Sequence, residues 1–205
     1  WITSLLGNLA LIGTPFFAGF YSKDSIIEAV HASNLPAAGF ATFAVTAGVF
    51  ITAFYSFRMY FLVFHGKERF HHKPFPGEHD HHDDDHGHAH EPHESPWVVT
   101  APLVLLAIPS VVIGFLCIEP MLFGDFFKGA IFVDAAKHPA MAELAHHFHG
   151  ATAMALHGFS TVPFWLALGG VVTAYVFYLV APQIPAMFAK VLRPLIVIGE
   201  NKYYM

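Results

Sequence analysis

Charge is what this sequence has least of. Only 12% of its 205 residues are Asp, Glu, Lys or Arg, while 55% are hydrophobic and 16% aromatic, whereas an ordinary soluble domain is about 25% charged. That composition excludes a soluble globular domain and points to an integral membrane protein with the lipid bilayer as its immediate partner. Cysteine is almost missing. Cys117 stands alone in an apolar run, which excludes a disulfide framework and a cysteine metal site within the chain. Ten basic residues scattered through the chain make no nucleic-acid-binding surface, so no nucleic acid partner is expected. Phosphate-binding glycine loops, Ser-His-Asp patterns and CxxC pairs are also missing, which leaves chemistry on a soluble substrate unsupported. There is no initiator Met, basic n-region or cleavage site, and the chain opens inside an apolar segment. It reads as an interior fragment of a longer polytopic protein.

What is there is a series of uncharged runs. The first, residues 1–22, has no charged side chain and is long enough to cross the hydrocarbon of a bilayer, which takes about 20 apolar residues. Others cover residues 36–64, uncharged up to Arg58, and residues 97–118 and 162–181. The expected fold is an all-α, polytopic membrane helix bundle of four crossings. Lys67, Arg69 and Lys73 follow the second run, and Lys190, Arg193 and Lys202 follow the fourth. By the positive-inside rule this places residues 65–96 and the tail, 182–205, in the cytoplasm and residues 119–161 on the opposite side. The net charge of −5 comes mostly from the His- and Asp-rich stretch of residues 79–90, which reads as a loosely ordered loop with no physiological metal site. In residues 119–161, Pro139 opens a short amphipathic helix with Met141, Leu144, Ala145 and Phe148 on one face. His146, His147, His149 and His157 in that segment read as exposed polar residues.

The first run is also the most irregular. Gly13, Pro15 and Gly19 interrupt it, because proline removes a backbone donor and crowds the preceding turn while glycine frees the backbone. Residues 1–31 are therefore expected to form a discontinuous transmembrane helix, broken near residues 13–15. In lipid a break survives only where protein or a water-filled cavity satisfies the freed amides and carbonyls, and such breaks commonly serve ions. Directly after it come Lys23 and Asp24. Helical spacing puts Phe16, Phe20, Lys23 and Ile27 on one face, with Asp24 and Glu28 on the next. A lysine placed mid-bilayer costs about 2.5 to 3.5 kcal/mol on insertion scales. Two readings follow: a proton relay, or a helix end whose Lys23 and Asp24 snorkel into the headgroups. Farther on, Phe50, Phe54, Phe57, Phe61 and Phe64 form a packing stripe, and Arg58 is either an interfacial anchor or a fixed charge beside a proton site.

Two stretches carry a family resemblance. Leu9-Ala-Leu-Ile-Gly-Thr-Pro-Phe-Phe-Ala-Gly-Phe-Tyr-Ser-Lys-Asp-Ser-Ile-Ile-Glu28 and Thr52-Ala-Phe-Tyr-Ser-Phe-Arg-Met-Tyr-Phe-Leu-Val-Phe-His-Gly-Lys-Glu-Arg69 closely resemble the distal antiporter-like membrane subunit, chain L, of the proton-pumping NADH:quinone oxidoreductases. The resemblance is strongest over residues 1–69 and continues through the later spans. It implies that Lys23 is the interior lysine of a terminal proton channel, with Asp24 as its acidic neighbour and Glu28 and Arg58 in support. It implies other membrane-arm subunits as partners and a bacterial inner membrane as the location. NADH, FMN, iron-sulfur clusters and quinone are expected in those other subunits, with no cofactor bound by this chain. The family's other key ionisable groups would lie upstream of Trp1, and residues 199–204 resemble the approach to its lateral helix. The His-rich loop departs from the shorter loops of the family. Two other assignments stay open at the level of sequence. The broken-helix subunit of a multisubunit sodium/proton antiporter resembles the same family, and a zinc transporter also carries a His-rich loop, although it would need ligands inside the spans.

Overall fold

The computed structural model describes residues 1–68, 93–134 and 139–202. The His-rich stretch of residues 79–90 lies outside them. Among the described residues there is helix and no strand, as the uncharged runs require once every backbone group must find a partner away from water. α1 covers Ile2–Ile12 and α2 covers Ala18–His31, so the first crossing is two half-helices. α3 is one uninterrupted helix, Ala38–Phe64, about 40 Å long at 1.5 Å per residue. α4, Trp97–Ile118, keeps Pro102 and Pro109 inside it and widens into a π-helical turn at Glu119–Phe123. Two short helices follow, α5 at Ala140–His147 and α6 at Ala151–Gly158. α7, Val162–Tyr175, has Pro163 in its first turn, where the missing N–H costs nothing, and also ends in a π-turn, Val176–Val180. α8, Gln183–Val191, and α9, Arg193–Glu200, complete the described chain.

Among the described residues three segments are long and apolar enough to cross a membrane: Ala38–Phe64, Trp97–Phe123 and Val162–Val180. The first crossing fails that length test because it is broken, with 11 residues in α1 and 14 in α2. The molecule is an all-α membrane helix bundle with one discontinuous helix. Its outer faces are apolar, with Phe40, Phe43, Leu105, Leu106 and Trp165 all exposed. Lipid tails are as apolar as leucine, so such exposure carries no penalty there, and small residues and close packing decide which helices associate.

Among the described residues two buried clusters form on either side of the break. One joins α1 to α3 and α7 through Ile12, Val49, Ala53, Phe57, Tyr60, Ala167 and Ala174. Small residues set the helix spacing. At Gly170 a Cβ would lie 2.6 Å from the Phe50 carbonyl oxygen and 2.8 Å from Ala53 Cβ, so only glycine permits the α3–α7 approach. Aromatic rings close the rest of this seam, with Phe61 against Tyr175 at 5.8 Å and Phe54 against Phe177 at 5.9 Å between centroids. The other core joins α2 to the end of α4 and to α6 through Phe20, Tyr21, Ile118 and Ala155. In it Gly114 of α4 receives the backbone of Ala18 and the ring of Tyr21. The half-helices of the first crossing thus contribute buried residues to different cores, while Ile27 of α2 also packs against the first.

Candidate functional site

The site begins with the way α1 stops. Gly13 sits in the left-handed region at φ 78°, ψ 46°. Its N–H donates to the Ala10 carbonyl at 3.2 Å, and the Thr14 N–H donates to the Leu9 carbonyl at 3.0 Å. This pair of bonds is a Schellman motif, which turns the chain off the helix axis and satisfies two carbonyls of the last turn. The Ile12 carbonyl points onward and accepts a hydrogen bond from Lys23 Nζ at 3.2 Å. Lysine and break are therefore one construction: the side chain from the first turns of α2 supplies the donor that the end of α1 lacks.

The link between the halves is tight. Pro15 is buried, and Phe16 adopts φ 74°, which a residue with a Cβ reaches only at a cost of about 1 to 3 kcal/mol. A Cβ on Gly19 would overlap the carbonyl of Ala10, so glycine there lets the start of α2 lie directly on the backbone of α1. The Lys23 side chain passes along the break, with its Cδ 3.2 Å from the position a Gly13 Cβ would take. The half-buried lysine is thus held by backbone as much as by side chains.

Lys23 and Asp24 face a shared cavity of about 10 Å³ whose walls include Gly13, Phe20, Val49 and Phe164. That is room for about one water molecule. Asp24, only 7% exposed, also lines two larger cavities. The first, about 580 Å³, is bounded by Ser25, Glu28, His147, His149 and His157 among others. The second, about 480 Å³, is bounded by Glu28, His31, Glu143 and His147 among others. Asp24 is the residue at which one small and two large spaces meet. Electrostatically it is coupled to Glu28, His157 and Lys23.

Comparison with known proteins gives this arrangement a family. Over its whole length the chain is 55% identical to NADH-quinone oxidoreductase subunit L of Neisseria meningitidis serogroup A, and 54% identical to that of serogroup B. The chain belongs to the subunit L family. It spans 31% of the length of those relatives. Similarity reaches further, to NAD(P)H-quinone oxidoreductase chain 5 of a Picosynechococcus species, at 37% identity over 98% of this chain and 29% of the relative. No protein-family model matches the chain. These relatives favour neither the sodium/proton antiporter nor the zinc transporter.

The fold gathers some of the residues singled out in the sequence and separates others. Gly13, Pro15, Gly19, Lys23 and Asp24 converge on the break, and Glu28 lies on the rim of both large cavities. Arg58 is elsewhere. It is exposed near the end of α3, with its guanidinium carbon 5.4 Å from the centroid of the Tyr178 ring, whereas the part of α3 that reaches the lysine cavity is Val49. The helical rise between Val49 and Arg58 amounts to about 13 Å. Conversely, His147 and His157 are exposed residues, yet the surface they line is the wall of a cavity that begins at Asp24. Their sequence neighbours carry no period or spacing that announces this. The signal appears only when α5 and α6 fold back against α2.

Proposed function

We propose that this chain is a proton-conducting stretch of the membrane arm of a bacterial inner-membrane NADH-quinone oxidoreductase, with Lys23 and Asp24 as its relay. The observation that carries the reading is the lysine at the helix break, hydrogen-bonded to the Ile12 carbonyl and sharing a one-water cavity with the buried Asp24. An ammonium placed among Phe20, Val49 and Phe164 has been taken out of bulk water at considerable cost. Membrane proteins retain such groups mainly where ions or protons pass. The similarity to subunit L relatives supports the same assignment.

In this mechanism Lys23 gives its proton to Asp24 through a water in the small cavity, and Asp24 passes it toward Glu28 and the larger spaces beyond. The Ile12 carbonyl keeps the amine in place through both halves of the cycle. The chain has no part in the redox steps. NADH, flavin, iron-sulfur clusters and quinone belong to partner subunits of the complex, from which the energy for translocation must arrive. Glu28 supports the relay as a second carboxylate one turn along α2.

The test uses the complete complex in sealed vesicles, with assembly checked on a native gel. Lys23→Ala should lower proton translocation about a hundred-fold or more, the scale of losing a positioned proton-transfer group, while NADH oxidation by an artificial acceptor continues. Undiminished pumping in an assembled Lys23→Ala complex would sink the assignment.

A further inference from the structure

We infer that His147 and His157 carry protons between Asp24 and the aqueous phase outside the membrane, so that the two large cavities form one imidazole-lined vestibule. The inference deepens the relay reading above and rests on it. Three observations converge. The buried Asp24 opens onto both cavities, and His147 lies in the wall of each, at the end of α5. His157, in the last turn of α6, lines the larger cavity together with Asp24. Helix α6 is fixed against α2, since the Tyr21 hydroxyl donates to the Ala151 carbonyl at 3.3 Å and the Phe20 ring packs against Gly158. The histidines therefore stand at a held distance from the carboxylate rather than on a free loop.

The chemistry suits the place. Imidazole has an unperturbed pKa of about 6.5, so it both takes and releases a proton near neutral pH. A carboxylic acid at Asp24 breaks its O–H bond and gives the proton, through water, to a neutral ring nitrogen of His157 or His147. The resulting imidazolium releases a proton to bulk water and returns to the neutral form, so no group is consumed. The other ionisable groups on these walls are Glu28 and His31 from α2, Glu143 from α5, and His149 between α5 and α6. His31 and Glu143 border only the smaller of the two large cavities, and His149 only the larger, whereas His147 borders both.

The experiment compares wild type, Lys23→Ala and the double variant His147→Ala/His157→Ala in the complete complex, reconstituted with the vestibule side accessible to added buffer. Proton translocation should fall about a hundred-fold in the double variant, with artificial-acceptor NADH oxidation retained, and should recover when millimolar imidazole is supplied on the vestibule side. Imidazole should leave wild type unchanged and should not rescue Lys23→Ala. Undiminished pumping in the double variant overturns the vestibule. So does a loss that imidazole cannot restore, and recovery in His147→Gln/His157→Gln would then assign that loss to packing. If Lys23→Ala pumps normally, the relay itself is wrong; if only the double variant does, the relay stands and the vestibule alone is lost.

Discussion

The seam between α3 and α7 and the region where α2 meets α5 and α6 are built from opposite materials. In the first, Gly170, Ala53, Ala167 and Ala174 let two long helices touch, and aromatic rings fill what remains. In the second, a buried carboxylate and exposed histidines border about 580 Å³ and 480 Å³ of open space. One region excludes water and the other admits it. A proton-conducting membrane protein needs both, since a sealed wall beside a wet cavity keeps the proton on a single course. The break belongs to each side: α1 anchors in the sealed seam through Ile12, and α2 carries Asp24 into the cavities.

Substitutions can break that contrast from either side. The largest effect is expected at Gly170→Leu, where a side chain must displace the Phe50 carbonyl or Ala53. Overpacking of this kind costs about 1 to 3 kcal/mol or more, and the complex should fail to assemble on a native gel. Asp24→Asn should leave assembly intact and reduce proton translocation about a hundred-fold, because the amide keeps the shape of the junction but cannot take up the proton. At Ala153, an exposed residue on the wall of the largest cavity, leucine should leave thermal stability unchanged and slow pumping several-fold by filling part of the space. The smallest effect belongs to Arg58→Ala. It removes a cation stacked on Tyr178, worth about 0.5 to 1 kcal/mol at an exposed site, and should leave proton translocation within experimental scatter of wild type. A pumping loss at Arg58 as large as that at Asp24 would erase the distinction between the two regions.

Much of the fold is legible in the residues alone, because in a bilayer the backbone leaves few choices. Long uncharged runs must be helices, and Gly13 with Pro15 must break one. The phenylalanines of α3 also announce themselves, since they recur at helical spacing and meet α7. Less can be read at the site. That Lys23 reaches back to Ile12 depends on how far the chain turns at Gly13, which spacing along α2 does not encode. Arg58 looks like a neighbour of the lysine only while α3 is a string of letters; its helical rise carries it away along the axis. His147 and His157 cannot be singled out from sequence, since their meaning comes from tertiary folding of two eight-residue helices over α2.

The hydrogen bond from Lys23 to the Ile12 carbonyl has a consequence for proton inventory. A carboxylate in that position would hold the amine through charge, but it could also accept the proton and become a competing resting place. The last carbonyl of α1 lies at the negative end of the helix dipole and has no affinity for a proton in the working range. It acts as a counter-charge that cannot titrate. In the proposed relay, a proton on Lys23 therefore has Asp24, and not its hydrogen-bond acceptor, as its next resting place.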